Sequence, residues 1–465
     1  MLIRNRTLDL SSISHLAIII IACGLAFGIG WVATRDQGFS YAWLLGGLGT
    51  ALLFLRWPFL PAVVIYPILW IFWAYSIPGI GGIERIIGVL GILGMALLAV
   101  RHAESHMFAL PKLVMAGLFI LFSAYWISWA FHPDLVRAQE YMISLTARIA
   151  FLFVVYYLIR TLSHLRLAVI LLIGTSLIPA SLTLIASLIF GFGFSRDFFA
   201  NQTAMTMLGS LGAAIITSAN FGTAPAMLLL HLYPTLKNRL SKIALALTVL
   251  FLLGMAFASQ YRREILITIP LLLAYLSIDR SAGLRRPALG LLLISVLFFF
   301  LVLLPFSTVL QNRLDNETQF VVQGTEPRIA SFLAGVEAFL QSPLIGYGPS
   351  AYQQAIMPIL GLGRRSFEYS PYNVFIWIAV EAGTPGILGI TFILAGIFRE
   401  AIKFRRQSDG VEQWVLRCAP ALLLVIVVWF TFGNAWELSL PWFLMGLILA
   451  AARLAQESTR DAATA

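Results

Sequence analysis

The stretch SQYRREILI, Ser259–Ile267, places Arg262 and Arg263 between two apolar runs with almost no loop around them. Each guanidinium offers a planar, permanently charged fork suited to bidentate contact with phosphate. The competing reading is that both side chains snorkel to lipid headgroups. Further arginines expected on the same side are Arg196, Arg313, Arg328, Arg364 and Arg365, together with Tyr347, Tyr369 and Tyr372. Fixed guanidiniums can stabilise charge developing on a departing pyrophosphate without a metal, and aromatic faces can stack on sugars. An attacking hydroxyl would still need a base. Glu326, Glu368 and Glu381 are among the carboxylates available for that role.

Other chemistries find less support. His102 and His106 are spaced i, i+4, which could hold zinc on a helix, but a solvated loop explains them far better. His15, His164 and His231 fall near the cytoplasmic side of the expected topology, and His132 alone falls outside. Glycine-rich phosphate loops and a nucleophile elbow are absent. Cys23 and Cys418 both lie in apolar runs, so neither a disulfide framework nor a cysteine metal site is expected. No cofactor is called for.

The elements that must position these residues are membrane helices. Of 465 residues, 60% are hydrophobic and only 11% charged, and the mean hydropathy is +0.90. A soluble domain carries roughly 25% charged residues. Apolar runs recur at 16–33, 41–55, 58–77, 84–100, 113–131, 142–160, 166–191, 206–232, 241–260, 264–279, 287–307, 371–398, 414–433 and 436–453. The fold class is therefore all-α, a polytopic transmembrane bundle of about 12–14 spans. The basic N-terminal stretch reads as leading into the first anchored helix. With that end cytoplasmic, most of the 31 cations, including all four lysines, fall on the cytoplasmic side. Both termini are then cytoplasmic, and the +10 charge reflects orientation in the membrane rather than nucleic-acid binding. The helix after Arg263 would reach only about 24 Å before Asp279, short of a hydrocarbon core of roughly 30 Å. The arginine pair should thus sit in a recess below the outer interface.

Three regions follow: an N-terminal bundle over 1–306, a long periplasmic loop over 307–370, and C-terminal helices with a cytoplasmic tail over 371–465. The loop has its own pattern. TEPRIASFLAGVEAFLQSP offers Thr325 as a cap, Pro327 in the first turn, and Ile329, Phe332, Leu333, Val336, Phe339 and Leu340 at helical spacing. That helix should lie along the outer membrane surface or pack over the bundle. It ends in SPLIGYGPS, where prolines and glycines force tight turns.

Three segments in this order resemble the O-antigen ligase and polysaccharide polymerase family of bacterial inner membranes. SQYRREIL is similar to its serine–arginine motif between two spans. RIASFLAGVEAFLQSPLIGYG is similar to its outer-loop pattern of arginine, apolar helix and Pro-Leu-x-Gly-x-Gly turn. SPYNVFIWIAVEAGTPGILG resembles its His-Asn motif leading into a span with Glu-x-Gly and Pro-Gly. The likeness runs from Ser259 to Ile390. It implies a GT-C-like fold and a metal-independent glycosyltransferase whose donor is an undecaprenyl-pyrophosphate-linked glycan. The acceptor would be a sugar hydroxyl on lipid-linked glycan or on lipid A core. Membrane lipids and a chain-length regulator are the other partners implied.

By position, Arg262 (or Arg263) and Arg328 would contact the pyrophosphate. Tyr372 stands before Asn373 where the family carries histidine, and a phenol with a pKa near 10 is a poor base at neutral pH. Either the base lies elsewhere, at Glu326 or Glu368, or Tyr372 positions the acceptor. Arg196, Asn373, Glu381, Tyr347, Arg364 and Arg365 complete the expected substrate contacts. For several of these a structural role is also open: Arg328 as a partner of Glu326, Tyr372 as a belt aromatic, Asn373 and Glu381 as packing polars. Loss of the histidine favours a polymerase over a ligase. A carrier-lipid transporter would need broken helices and midplane charges in repeated halves, and little of that is seen.

Overall fold

The computed structural model describes residues 57–72, 76–77, 81–82, 91–92, 95, 110–132, 134–190, 221–258, 270–271, 274–275, 290, 326–361, 373–405, 410–433 and 438–464. The chain divides into two compact units, Met1–Pro58 and Phe59–Ala465, and every element below belongs to the second. Ten helices carry the argument: α1 Lys112–Ala130, α2 Leu135–Leu158, α3 Leu162–Phe190, α4 Thr223–Leu232, α5 Arg239–Ala258, α6 Glu326–Gln341, α7 Tyr352–Ile356, α8 Val374–Phe404, α9 Val411–Thr431 and α10 Ser439–Thr464. Seven of them, α1, α2, α3, α5, α8, α9 and α10, are long and apolar enough to cross a membrane. The described residues thus form a polytopic helical bundle, as the apolar runs require. A two-residue antiparallel pair, Ser76–Ile77 with Gly81–Gly82, is the small exception.

Several boundaries differ from expectation for local reasons. α2 starts about two turns before residue 142, because Asp134 accepts from the Arg137 amide at 3.1 Å and caps it. Within 58–77 the chain makes short turns, Pro61–Ile65, Tyr66–Leu69 and Trp70–Phe72, rather than one long helix. Pro61 and Pro67 each remove a backbone donor from that stretch. The expected spans at 16–33 and 41–55 lie outside the described residues, as do nearly all of 84–100, 264–279 and 287–307.

Packing orders the helix ends onto two sides. α1 and α8 run antiparallel in close contact through glycines. A Cβ added at Gly389 would come 2.7 Å from the Leu121 amide, and one at Gly117 would come 2.7 Å from the Gly389 carbonyl. Small residues let helix backbones approach where lipid supplies no drive for large side chains to hide. α10 runs parallel to α2: Gly446 meets Leu152, and Arg453 donates to the Ile159 carbonyl at 2.6 Å. α4 runs antiparallel to α9, with Phe221 against Trp429 and the Trp414 indole donating to the Leu228 carbonyl. One side therefore holds α6, α7, the end of α1 and the start of α8. The other holds Arg160, Arg239, Arg405 and the four lysines, Lys112, Lys237, Lys242 and Lys403.

Candidate functional site: a turn seated in a broken helix

α8 is too long for a simple span, since its residues would cover about 46 Å. Gly383, with φ 65° and ψ −165°, breaks it, a conformation open essentially to glycine alone. Val374–Ala382 is a short first helix, and Thr384–Phe404, roughly 31 Å long, is by itself long enough to cross a membrane. Such a break frees backbone groups that must find partners away from water.

The Pro343–Gly348 turn supplies them. The Tyr347 amide donates to the Val380 carbonyl at 2.8 Å, and the Gly348 amide to the Glu381 carbonyl at 3.0 Å. Across the break, the Pro343 carbonyl accepts from the Thr384 amide at 2.7 Å and from its hydroxyl at 2.8 Å. The fit requires glycine. Gly346, with φ 77°, lies so close that a Cβ would come 2.5 Å from the Glu381 carbonyl. Two of the motifs read from the sequence, about forty residues apart, are thus one structural unit.

Glu381 lies at its centre and is fully buried. The Tyr125 hydroxyl donates to its Oε2 at 3.2 Å, and Ser128 donates to its carbonyl. α1 thereby fixes the upper edge of the break. Asn373 accepts from the Ile376 amide at 3.0 Å, which makes it the N-cap of α8. Tyr347 is half-buried, and its hydroxyl donates to Gln341 Oε1 at 3.0 Å. Arg328 is exposed in the first turn of α6. Glu326 opens that helix, and its side chain is not among those described. Arg196, Arg262, Arg263, Arg364, Arg365 and Tyr372 also lie outside the described residues.

α6 packs on the protein through one face and leaves large apolar residues exposed on the other. Its inward residues are the small ones, Ser331, Ala334, Gly335 and Ala338, packed on α7 and the start of α8. Ile329, Leu333 and Leu340 face outward, at 54%, 59% and 67% exposure. Tyr352 of α7 pins the contact by donating to the Ser331 carbonyl at 2.8 Å. Burial pushes its phenol above the usual tyrosine value, so it stays neutral and structural.

His132 is a residue whose part in this site sequence reasoning missed. It is 4% exposed, and its ring packs on the turn, where a Cβ at Gly348 would come 2.6 Å from Cδ2. Nδ1 accepts from the Asp134 amide at 2.9 Å, so a neutral ring carries its proton on Nε2. Among the described residues Nε2 has no hydrogen-bond partner. The available signal was its standing as the one histidine expected on the arginine-rich side.

The broken helix and its turn fall within a family match. Residues 244–391 match the family described as O-Antigen ligase, a stretch of about a third of the chain running from α5 into the membrane-crossing part of α8. The match bears out the resemblance carried by the three motifs. It supports a multi-pass membrane glycan transferase of the O-antigen ligase or polymerase type, acting on lipid-linked glycan. No curated protein matches the chain.

Proposed function

We propose that this protein is a glycosyltransferase that polymerises undecaprenyl-pyrophosphate-linked repeat units at the outer face of a bacterial cytoplasmic membrane. The supporting observation is that two family motifs close into one rigid unit where α1 ends and α8 begins. That unit sits on the side opposite the four lysines, and the lysine-rich side is then cytoplasmic. The acceptor hydroxyl oxygen forms a bond to the donor's anomeric carbon as the bond from that carbon to the phosphate oxygen breaks. The lipid pyrophosphate leaves as an anion, and the hydroxyl proton passes to a base. Arg262 and Arg328 stabilise the leaving charge, with Arg263, Arg196, Arg364 and Arg365 holding the rest of the donor and no metal required. Glu326 is the candidate base and Tyr372 positions the acceptor. Asn373, Glu381 and Tyr347 contribute by fixing the platform.

A ligase that passes the glycan to lipid A core is the second reading, favoured by the description of the matched family. The test is purified protein given lipid-linked repeat units, with products followed by gel and mass. Longer glycans from wild type, lost in Arg262→Ala and Arg328→Ala, support polymerisation. Single-copy transfer to a lipid A core acceptor, with no elongation, replaces it with the ligase.

A further inference from the structure

The hollow beside α6 has a chemistry of its own. It lies between the second half of α6, the Tyr347–Ala351 stretch and α7 with the turn that follows. Its volume is about 530 Å³, within the range of roughly 300–1,000 Å³ typical of small-ligand sites. Its polar lining is Glu337, Gln341, Tyr347 and Gln354, and Pro358 and Ile359 add apolar surface. No cation lines it. The Glu337 carboxylate at its wall repels phosphate at close range, which favours an uncharged ligand there.

We propose that this hollow is a glycan subsite, which takes the uncharged sugar rings of the acceptor strand. The assignment rests on the glycosyltransferase reading above. Glu337 and Gln341 stand one helical turn apart, so their side chains are neighbours. Gln341 Oε1 already accepts from the Tyr347 hydroxyl, so the donors that Gln341 can offer a ligand are those of its NH2 group. The hollow then presents donors beside the acceptor-only carboxylate of Glu337. Sugar hydroxyls both donate and accept, and neighbouring pairs match such two-atom groups. Pro358 and Ile359 supply surface for the C–H face of a ring.

The lining is also held in place before any ligand arrives. Tyr347 is fixed at both ends, through Val380 and Gln341, and Tyr352 ties α7 to α6. A preorganised polar lining loses little freedom on binding. The subsite is joined through Tyr347 and Gly348 to the seated turn, so a strand lying in it is anchored to the same unit that closes the α8 break.

The experiment uses the full chain in lipid nanodiscs. The probe is the carrier-free oligosaccharide released by mild acid from the host's own surface polysaccharide, followed by calorimetry. Wild type should bind it, and the Gln341→Ala/Gln354→Ala variant should bind at least tenfold more weakly. Both positions are exposed, so the variant should retain the wild-type melting temperature, and excess sodium pyrophosphate should not compete. Should the double variant misfold, Gln354→Ala alone, away from the Tyr347 contact, should still weaken binding several-fold. Absence of binding by wild type, equal binding by the folded variant, or displacement by pyrophosphate overturns the subsite. Elongation of lipid-linked units is measured in parallel. Elongation with binding that ignores Gln341 and Gln354 removes the subsite and leaves the transferase standing. Binding that depends on them, with no transfer to any acceptor, keeps a glycan site and removes the transferase.

Discussion

α8 and α10 are both long helices that line the bundle, and the chain treats them in opposite ways. α10 is continuous and enclosed. Trp442, Phe443, Leu444, Met445, Leu447 and Ile448 are all fully buried, on every face of the helix. α8 is interrupted in its first third, and the interruption is filled by a turn from the preceding segment. Irregular backbone persists in α8 where the protein itself supplies partners at the break, at the Val380 and Glu381 carbonyls and the Thr384 amide. The α10 side resists deformation through packing volume. The α8 side holds its shape through a few directed hydrogen bonds and glycines without substitutes.

Mutations on the two sides should therefore fail differently. The largest expected loss of stability is on the α10 side, where Trp442→Ala leaves a cavity costing about 3–5 kcal/mol. The folded fraction, isolated by size exclusion, should keep most of its transfer rate per molecule. A rate falling further than the folded fraction would blur the distinction.

Gly383→Ala should follow, at about 2–4 kcal/mol, since it combines a disfavoured φ with a Cβ placed 2.6 Å from the Leu344 carbonyl. Here activity should fall more steeply than thermal stability, because the turn is expelled while the bundle remains. Proteolysis at 342–348 would report the expulsion.

Tyr125→Phe removes the donor to buried Glu381 and should cost about 1–2 kcal/mol. Its effect should vanish in a Gly383→Ala background, where the contact has already loosened. Simple additivity would show that Glu381 and the turn are independent. The smallest effect belongs to Asn373→Ala, which loses the α8 cap for about 1 kcal/mol. Asn373→Asp should restore stability, and activity too if capping is the whole of its role.

The lengths of the apolar runs foretold the membrane helices well. α1, α3, α5 and α9 lie within a few residues of where composition put them. The Pro-Gly signals marked the 343–349 turn, whereas 371–398 read as one unbroken span and the break at Gly383 was not foreseen. Their union was not legible, because nothing in either stretch encodes a partner forty residues away. The helical spacing of the large apolar residues of α6 was legible, but which face meets the protein was not: Ser331, Ala334 and Ala338 are the residues that pack inward. His132 was hidden because its importance lies in contacts with Gly348 and Asp134, which a lone histidine near a span end does not announce. The arginine pair at Arg262 and Arg263, the most conspicuous chemical signal in the sequence, lies outside the described residues.

The seated turn also gives α6 a mechanical character. Gln341 leads directly into the residues clamped at Val380, Glu381 and Thr384, whereas Arg328 lies at the opposite end, about 20 Å along the helix axis. α6 is in effect a lever with its fulcrum in α8. A force applied at Arg328 would be carried along α6 to the residues clamped on the α8 break.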